Sequence, residues 1–271
     1  MNSYTILLPP SEGKAPGGTA PRAWTDIAGD PALNAFSILD PRRTELMAAL
    51  QHALDSQPEP ALQKLFGVKG AALATAVETN RRLPDGPLLP AIERYTGVMF
   101  DYMSYATLSD SARRTFDEHV ILFSGLWGLL RPTDLIPDYK LKIDARLPGI
   151  GAVARFWKPE ISRTLNGLLA GQVVWDLLPG AHARAWDGKA SMAAHWQVKF
   201  VERVEKNGEA RYRTVSHWSK ALKGALVRFI CEEGITDPAA FEGFEHPQGY
   251  VYRADLSEMG SNGGVLLFVK R

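Results

Sequence analysis

Strand-like and helix-like segments follow one another in this sequence without a regular βαβα alternation. That irregularity constrains the architecture more than any other feature, because it disfavours a Rossmann-type sheet and a (βα)8 barrel. Thr5–Leu8 reads as a buried strand halted by Pro9 and Pro10. A loop rich in Gly and Pro follows, from Ser11 to about Pro21. Asp40-Pro41 marks a helix start, with the aspartate as N-cap and the proline in the first turn. Leu46, Leu50 and Leu54 then recur every four residues, the period of an amphipathic helix. Short helices over Ala61–Phe66 and Ala71–Asn80 flank a tight Gly67–Gly70 turn, and another helix runs from Ser109 or Asp110 to about Glu118. Phe156–Leu169 is helical in pattern, with Pro159 tolerable only near its first turn. Val120–Phe123 and Val173–Trp175 are strand candidates. Gln197–Glu205 and Ala210–Val215 flank Asn207-Gly208, a hairpin signal because both residues accept positive φ. Ser216 opens a helix to about Glu233, stopped by Gly234, and Asp237-Pro238 starts a shorter one. Tyr250–Arg253 and Val265–Val269 close the chain as strands. The expected fold is α+β: an irregular mixed sheet flanked by helices, in one domain over residues 1–271, with a helix-hairpin-helix segment at about 41–80.

Composition narrows the function classes. The chain has 271 residues, 31 basic and 30 acidic, for a formal net charge of +1. A strongly basic tail and an acidic solvating chain are thereby excluded, but a local basic patch is not. A single cysteine, Cys231, excludes an intrachain disulfide and an all-Cys zinc site. Tyr4–Leu8 is too short for a signal peptide or a membrane span, and no other run reaches about 18 apolar residues, so no membrane association is expected and the cytoplasm is the default location.

The sharpest local signal is the stretch Leu62-Gln63-Lys64-Leu65-Phe66-Gly67-Val68-Lys69-Gly70-Ala71-Ala72-Leu73. Two short helices meeting at Gly-Val-Lys-Gly have the pattern of a helix-hairpin-helix element that grips the phosphates of double-stranded DNA. Gly67 can take positive φ to end the first helix, and Gly70 lets the backbone approach a partner. Val68 anchors the turn in the core. The second helix begins at the turn, so its free N–H groups can receive a phosphate, with Lys64 and Lys69 adding charge. The competing reading is a plain αα-hairpin whose glycines serve only the turn.

A second basic feature lies on the helix after Ser216. Lys220, Lys223 and Arg228 fall within about 140° of one another, with Gly224 among them, while Trp218, Leu222, Ala225, Leu226 and Phe229 take the opposite side. Lys199, Arg203, Arg211 and Arg213 lie on the preceding hairpin. Either helix and hairpin share a positive groove or the charges form an ordinary solvated face.

Three loops carry more chemistry than a scaffold needs. Ser11-Glu12-Gly13-Lys14 follows the first strand and lacks P-loop spacing, yet places a lysine where an anion could be held. Ser124-Gly125-Leu126-Trp127-Gly128-Leu129-Leu130-Arg131-Pro132-Thr133-Asp134 offers the guanidinium of Arg131 for a phosphate or carboxylate, or for an ion pair with Asp134. It continues into Asp138-Tyr139-Lys140-Leu141-Lys142, where alternation puts both lysines on one side and Tyr139 with Leu141 on the other. Tyr139 beside two lysines could stack a base, or the stretch could be a strand with one wet face. Trp175-Asp176 leads into a turn, with Asp176 a turn-former or a site carboxylate. His182, His195 and His217 have no ligand spacing, and no hydrolase triad, redox cofactor or metal site is legible.

These residues together resemble the YaaA family, also called DUF328 or UPF0246. The resemblance spans nearly the whole chain: Leu7–Lys14, Leu65–Ala76, Tyr95–Phe100, Leu122–Lys142, Arg155–Leu165, Val173–Leu177, Lys220–Arg228, Gly243–Tyr250 and Ser261-Asn262-Gly263. Ser124 to Pro132 is the most specific stretch, together with the closing Phe-to-Tyr-to-Ser-Asn-Gly series. The first loop departs from the family, where a shorter Ser-Pro-Ala-Lys form is common, so that only the proline and Lys14 carry over. The resemblance implies a cytoplasmic bacterial protein of the peroxide-stress response, with a proposed role in limiting free iron and hydroxyl-radical damage to DNA. It also implies an unusual mixed fold with a helix-hairpin-helix and a positive DNA-binding cleft. Carried onto this chain, the binding residues are Lys64, Gly67, Val68, Lys69 and Gly70, with Lys220, Lys223 and Arg228 lining the cleft. No cofactor is implied. The alternative is an enzyme acting on a nucleobase, nucleotide or similar anion, with Lys14, Arg131, Tyr139 and Lys142 binding substrate and Glu12, Lys14 or Asp176 as catalytic candidates.

Overall fold

The computed structural model describes residues 3–18, 23–206, 209–214, 218–246 and 248–271. Among the described residues, nine strands form the main sheet: β1 (Tyr4–Leu8), β2 (Val120–Ser124), β3 (Gly128–Leu130), β4 (Val173–Asp176), β5 (Ala194–Lys206), β6 (Glu209–Thr214), β7 (Tyr250–Tyr252), β8 (Glu258–Gly260) and β9 (Gly263–Lys270). The order is β7-β9-β5-β4-β1-β2-β3, with β6 paired to β5 and β8 to β9. The ladder β2-β1-β4-β5-β9 is parallel throughout, and β3, β6, β7 and β8 attach antiparallel. Every residue of β1, β2 and β4 is buried. Strands covered on both faces lose the alternating pattern and read as continuous apolar runs, which is why Thr5–Leu8 and Val120–Phe123 stand out in the sequence.

Helices cover this sheet: α1 (Asp40–Ser56), α2 (Glu59–Phe66), α3 (Ala71–Arg81), α4 (Val98–Met103), α5 (Asp110–His119), α6 (Val153–Leu168) and α7 (Ser219–Glu233). The mixed α+β architecture matches the sequence reading. Ser109 caps α5 by accepting from the Ala112 amide at 3.2 Å, and Asp237 caps the 3-10 turn Pro238–Gly243. Gly234 ends α7 in the left-handed region.

Three local readings need correction. Asp40 is not an N-cap: Leu39 holds that position, and Asp40 lies inside the first turn. Its carboxylate takes the Gly29 amide at 2.6 Å and the Arg43 guanidinium at 2.8 Å. Arg43 is 1% exposed and also donates to Trp127 O at 2.9 Å and Leu129 O at 2.7 Å. A buried charge needs every donor met, and this one ties α1 to the β2–β3 hairpin. Pro159 is the seventh residue of α6 rather than a first-turn residue, and it sits on the exposed side. Gly224 is not on a wet face. A Cβ there would lie 2.1 Å from Met99 O, so α7 and α4 meet backbone to backbone at this point. Asn207-Gly208, Val215, Ser216 and His217 lie outside the described residues, while the strands on either side of Asn207-Gly208 pair antiparallel as expected.

The same substitution is therefore expected to have opposite signs at two helical glycines. Gly224→Ala overpacks the α4–α7 contact and lowers unfolding free energy in urea by about 1–3 kcal/mol. Gly167→Ala in α6, with nothing within 4 Å of the added methyl, raises it by roughly 0.5–1 kcal/mol.

Candidate functional site

Parallel strands end on the same edge of a sheet, so the loops after β1, β2 and β4 are brought together at one rim. A cavity of about 540 Å³ opens there. Pro9 to Lys14, Gly125 and Pro179 come from the three strand ends; Tyr139 to Asp144 form one wall, Thr96 to Phe100 another, and Ser219, Lys220 and Lys223 of α7 complete it with Ala181 and His182.

The wall 139–143 is set by backbone contacts. A Cβ at Gly125 would stand 2.4 Å from Leu141 O, so only glycine admits that approach. From the other side, Asn80 of α3 clamps the main chain of Lys140 with two 2.9 Å hydrogen bonds, one to its amide and one to its carbonyl. The alternation expected of this stretch holds: Tyr139, Leu141 and Ile143 are buried and Lys140 and Lys142 half-buried. The Tyr139 hydroxyl sits between Tyr95 Oη and Ser124 Oγ, 2.8 Å from each, and burial pushes its pKa up to about 12.

Lys14 lies against this aromatic floor. Its Nζ is 4.1 Å from the centroid of Tyr139 and 5.7 Å from that of Tyr95, and it donates to Ser11 O at 3.3 Å. The loop is pinned by an antiparallel bridge between Lys14 and Tyr95, by the Ala15 amide donating to Arg94 O at 2.8 Å, and by the Thr96 amide donating to Ser11 Oγ at 3.1 Å. Burial lowers the Lys14 pKa from 10.5 to about 8, although Asp138 and Glu12 pull the other way. Lys223 is brought to about 8 for the same reason, partly opposed by Asp176; its ammonium donates to Leu177 O. His182 is pushed down to about 4 by burial and is therefore neutral near pH 7.

Other candidates fall differently. Glu12 is a counter-ion rather than a poised acid. Its carboxylate is 3.0 Å from Lys142 Nζ and 3.8 Å from Lys140 Nζ, and the Lys142 hydrogen bond holds it below the usual carboxylate range. Asp176 lies outside the cavity lining. It accepts from the Leu178 amide at 2.8 Å and pairs with His195 Nε2 at 3.0 Å. Arg131 does not reach the pocket. Its guanidinium donates to Val120 O at 3.0 Å, at the opposite end of β2, and stacks over Phe36 at 5.7 Å, while Asp134 accepts from its amide. Arg228 is spent on structure, bonding Ser104 O, Thr107 Oγ1 and Glu232. Tyr139 cannot offer a free face for stacking on the side that Lys14 occupies.

At the 67–70 corner the positive φ expected of Gly67 is observed. Gly67 ends α2 at φ 67°, and Gly70 precedes α3 at φ 55°. Lys64, Gly67, Lys69 and Gly70 are exposed, and Val68 is half-buried against the core. A shallow cavity of about 510 Å³ beside the corner is lined by Lys64, Gly67, Lys142, Asp144 and Arg146, among others. Lys142 and Asp144 line both cavities.

Residues 4–256 match the family model of the peroxide stress protein YaaA. The chain belongs to the YaaA peroxide-stress family. It is 32% identical over 257 residues to a UPF0246 protein of Streptomyces coelicolor, covering 94% of each chain. A UPF0246 protein of Corynebacterium efficiens is 32% identical over 228 residues, 83% of this chain and 84% of that one. Among the described residues of this YaaA-family chain, no group of three or more His, Cys, Asp and Glu could hold a metal ion. Nor is any helix long and apolar enough to cross a membrane.

Lys140, one of the two lysines expected beside Tyr139, lines the pocket, and so do Lys220 and His182; in the sequence Lys220 points only to a basic helix face, and His182 carries no site signal. Because Lys14 and Lys223 lose charge as pH rises through about 8, affinity for inorganic pyrophosphate is expected to fall between pH 7 and 9 in titration calorimetry. A flat profile would place the anion elsewhere. The same two groups destabilise the fold while protonated, so between pH 8 and 10.5 their contribution makes the protein more stable as pH rises.

Proposed function

We propose that this protein binds double-stranded DNA through backbone phosphates, with the 67–70 corner gripping the duplex and the adjoining lysine pocket receiving a phosphate-bearing nucleotide unit. The observation that carries the reading is Lys142. Its ammonium, paired with Glu12 at 3.0 Å, lies 3.9 Å from where a Gly67 Cβ would stand and also lines the pocket, so corner and pocket border one continuous surface. Lys64 and Lys69 extend that surface, and the exposed start of α3, which lacks a side-chain cap, presents helix amides to an anion. Contacts of this kind position a duplex without reading bases.

The reading that the pocket also performs chemistry on a nucleotide or nucleobase is favoured by one observation. Two amines held near pKa 8 face a cavity with room for a nucleoside phosphate.

Fluorescence anisotropy with labelled duplexes of unrelated sequence tests the first reading. Similar affinities and a steep linear fall of log K with log salt are expected. Lys69→Glu weakens every duplex alike, and Lys142→Ala lowers the salt slope by about one. Unchanged affinity of Lys69→Glu at low salt would remove the corner from DNA binding.

A further inference from the structure

We infer that Lys14 is an imine-forming nucleophile directed at the aldehyde carbon of a phosphate-bearing ligand in the pocket. The inference rests on the proposal that this pocket takes a phosphorylated ligand. It goes further by naming a reactive group and the class of carbonyl it meets.

The argument begins with how Lys14 is held. A structural buried lysine is ordinarily matched by a carboxylate. Among the described residues none stands within ion-pair distance of Lys14, and Glu12, two residues away, is turned to Lys142 and Lys140 instead. The amine has Ser11 O at 3.3 Å and the Tyr139 face at 4.1 Å. Both contacts are weak enough to surrender, and both fix the direction of the side chain. Lys14 is also one of the residues that line the cavity. A lysine desolvated this way, near other cations, is the usual form of an amine nucleophile. Lys140, Lys142 and Lys220 on the same walls supply the charge for a phosphate.

The step balances without any co-reactant. The neutral Nζ lone pair attacks the aldehyde carbon, and the C=O π pair moves to oxygen, which takes a proton to give a carbinolamine. Nitrogen and carbon then form the C=N bond as the hydroxyl leaves with a proton as water. Counted from the ammonium, the products are one protonated imine and one water. Phosphate-bearing aldehydes of this class include the ring-opened sugar of an abasic nucleotide and a free triose phosphate.

Reductive trapping decides the matter. The full-length protein is incubated with cyanoborohydride and either an abasic-site duplex or glyceraldehyde 3-phosphate, and adducts are located by peptide mass mapping. A single adduct at Lys14 is expected in at least one arm; the duplex arm alone would indicate a nucleic-acid aldehyde, the triose arm alone a free sugar phosphate. The reactive amine share rises about tenfold from pH 7 to 9 for a group titrating near 8. Asp138 and Glu12 favour the ammonium there, and Lys140 and Arg94 the amine. Lys14→Met and Lys14→Arg abolish the adduct, whereas Lys158→Met, on the exposed side of α6, retains it. Adducts scattered over surface lysines, or none in either arm, overturn the inference, and the wild-type map decides this even where a Lys14 variant fails to fold. Duplex binding measured by anisotropy without trapping would survive that result, so the two proposals fail separately.

Discussion

Parallel strands cannot end on different edges, and this constraint organises the molecule. With β1, β2 and β4 side by side and co-directional, the chain must leave the sheet three times at one rim. Each exit carries polar residues that have no place in a sheet buried on both faces. The Tyr95–Tyr139–Ser124 hydroxyl chain then binds the rim together from three distant parts of the sequence. Removing the central Tyr139 hydroxyl would leave the buried Tyr95 hydroxyl unmet, which is costlier than the net value of the bond itself. Lys14 rests on this chain of rings, so its position is inherited from them.

Burial rather than ion pairing sets the electrostatics of the site. Lys14 and Lys223 are shifted downward mainly by desolvation, with nearby carboxylates opposing the change. The exposed member of the set, Glu12, behaves the other way and is kept ionised by Lys142. A pocket built like this is cationic at pH 7 yet holds a reserve of neutral amine. Under the proposed reading, an anion bound there would lie beside the Lys14 amine, which a purely solvated basic patch would not provide.

The corner and the pocket are mechanically linked as well as adjacent. Asn80, near the end of α3, is fully buried and holds both backbone groups of Lys140. The end of α3 thus fixes the backbone of the wall that carries Lys140 and Lys142.

Local chemistry was legible in the sequence wherever one or two neighbouring residues decide the outcome. The glycines at 67 and 234 specify left-handed turns, Ser109 and Asp237 cap with their own oxygens, and fully buried strands announce themselves as unbroken apolar runs. The alternation of Tyr139 to Lys142 followed from the two-residue period of an extended chain. Tertiary structure alone decided how each charge was used. Asp40 became the partner of a buried arginine rather than a cap, Arg131 was drawn to the far end of β2, and Arg228 was consumed by α4 and the turn after it. Gly224, apparently on a polar helix face, proved to be a backbone contact. A side chain's residue type fixes what it can bond, but its partner lies tens of residues away, and only the closed fold says which atoms arrive.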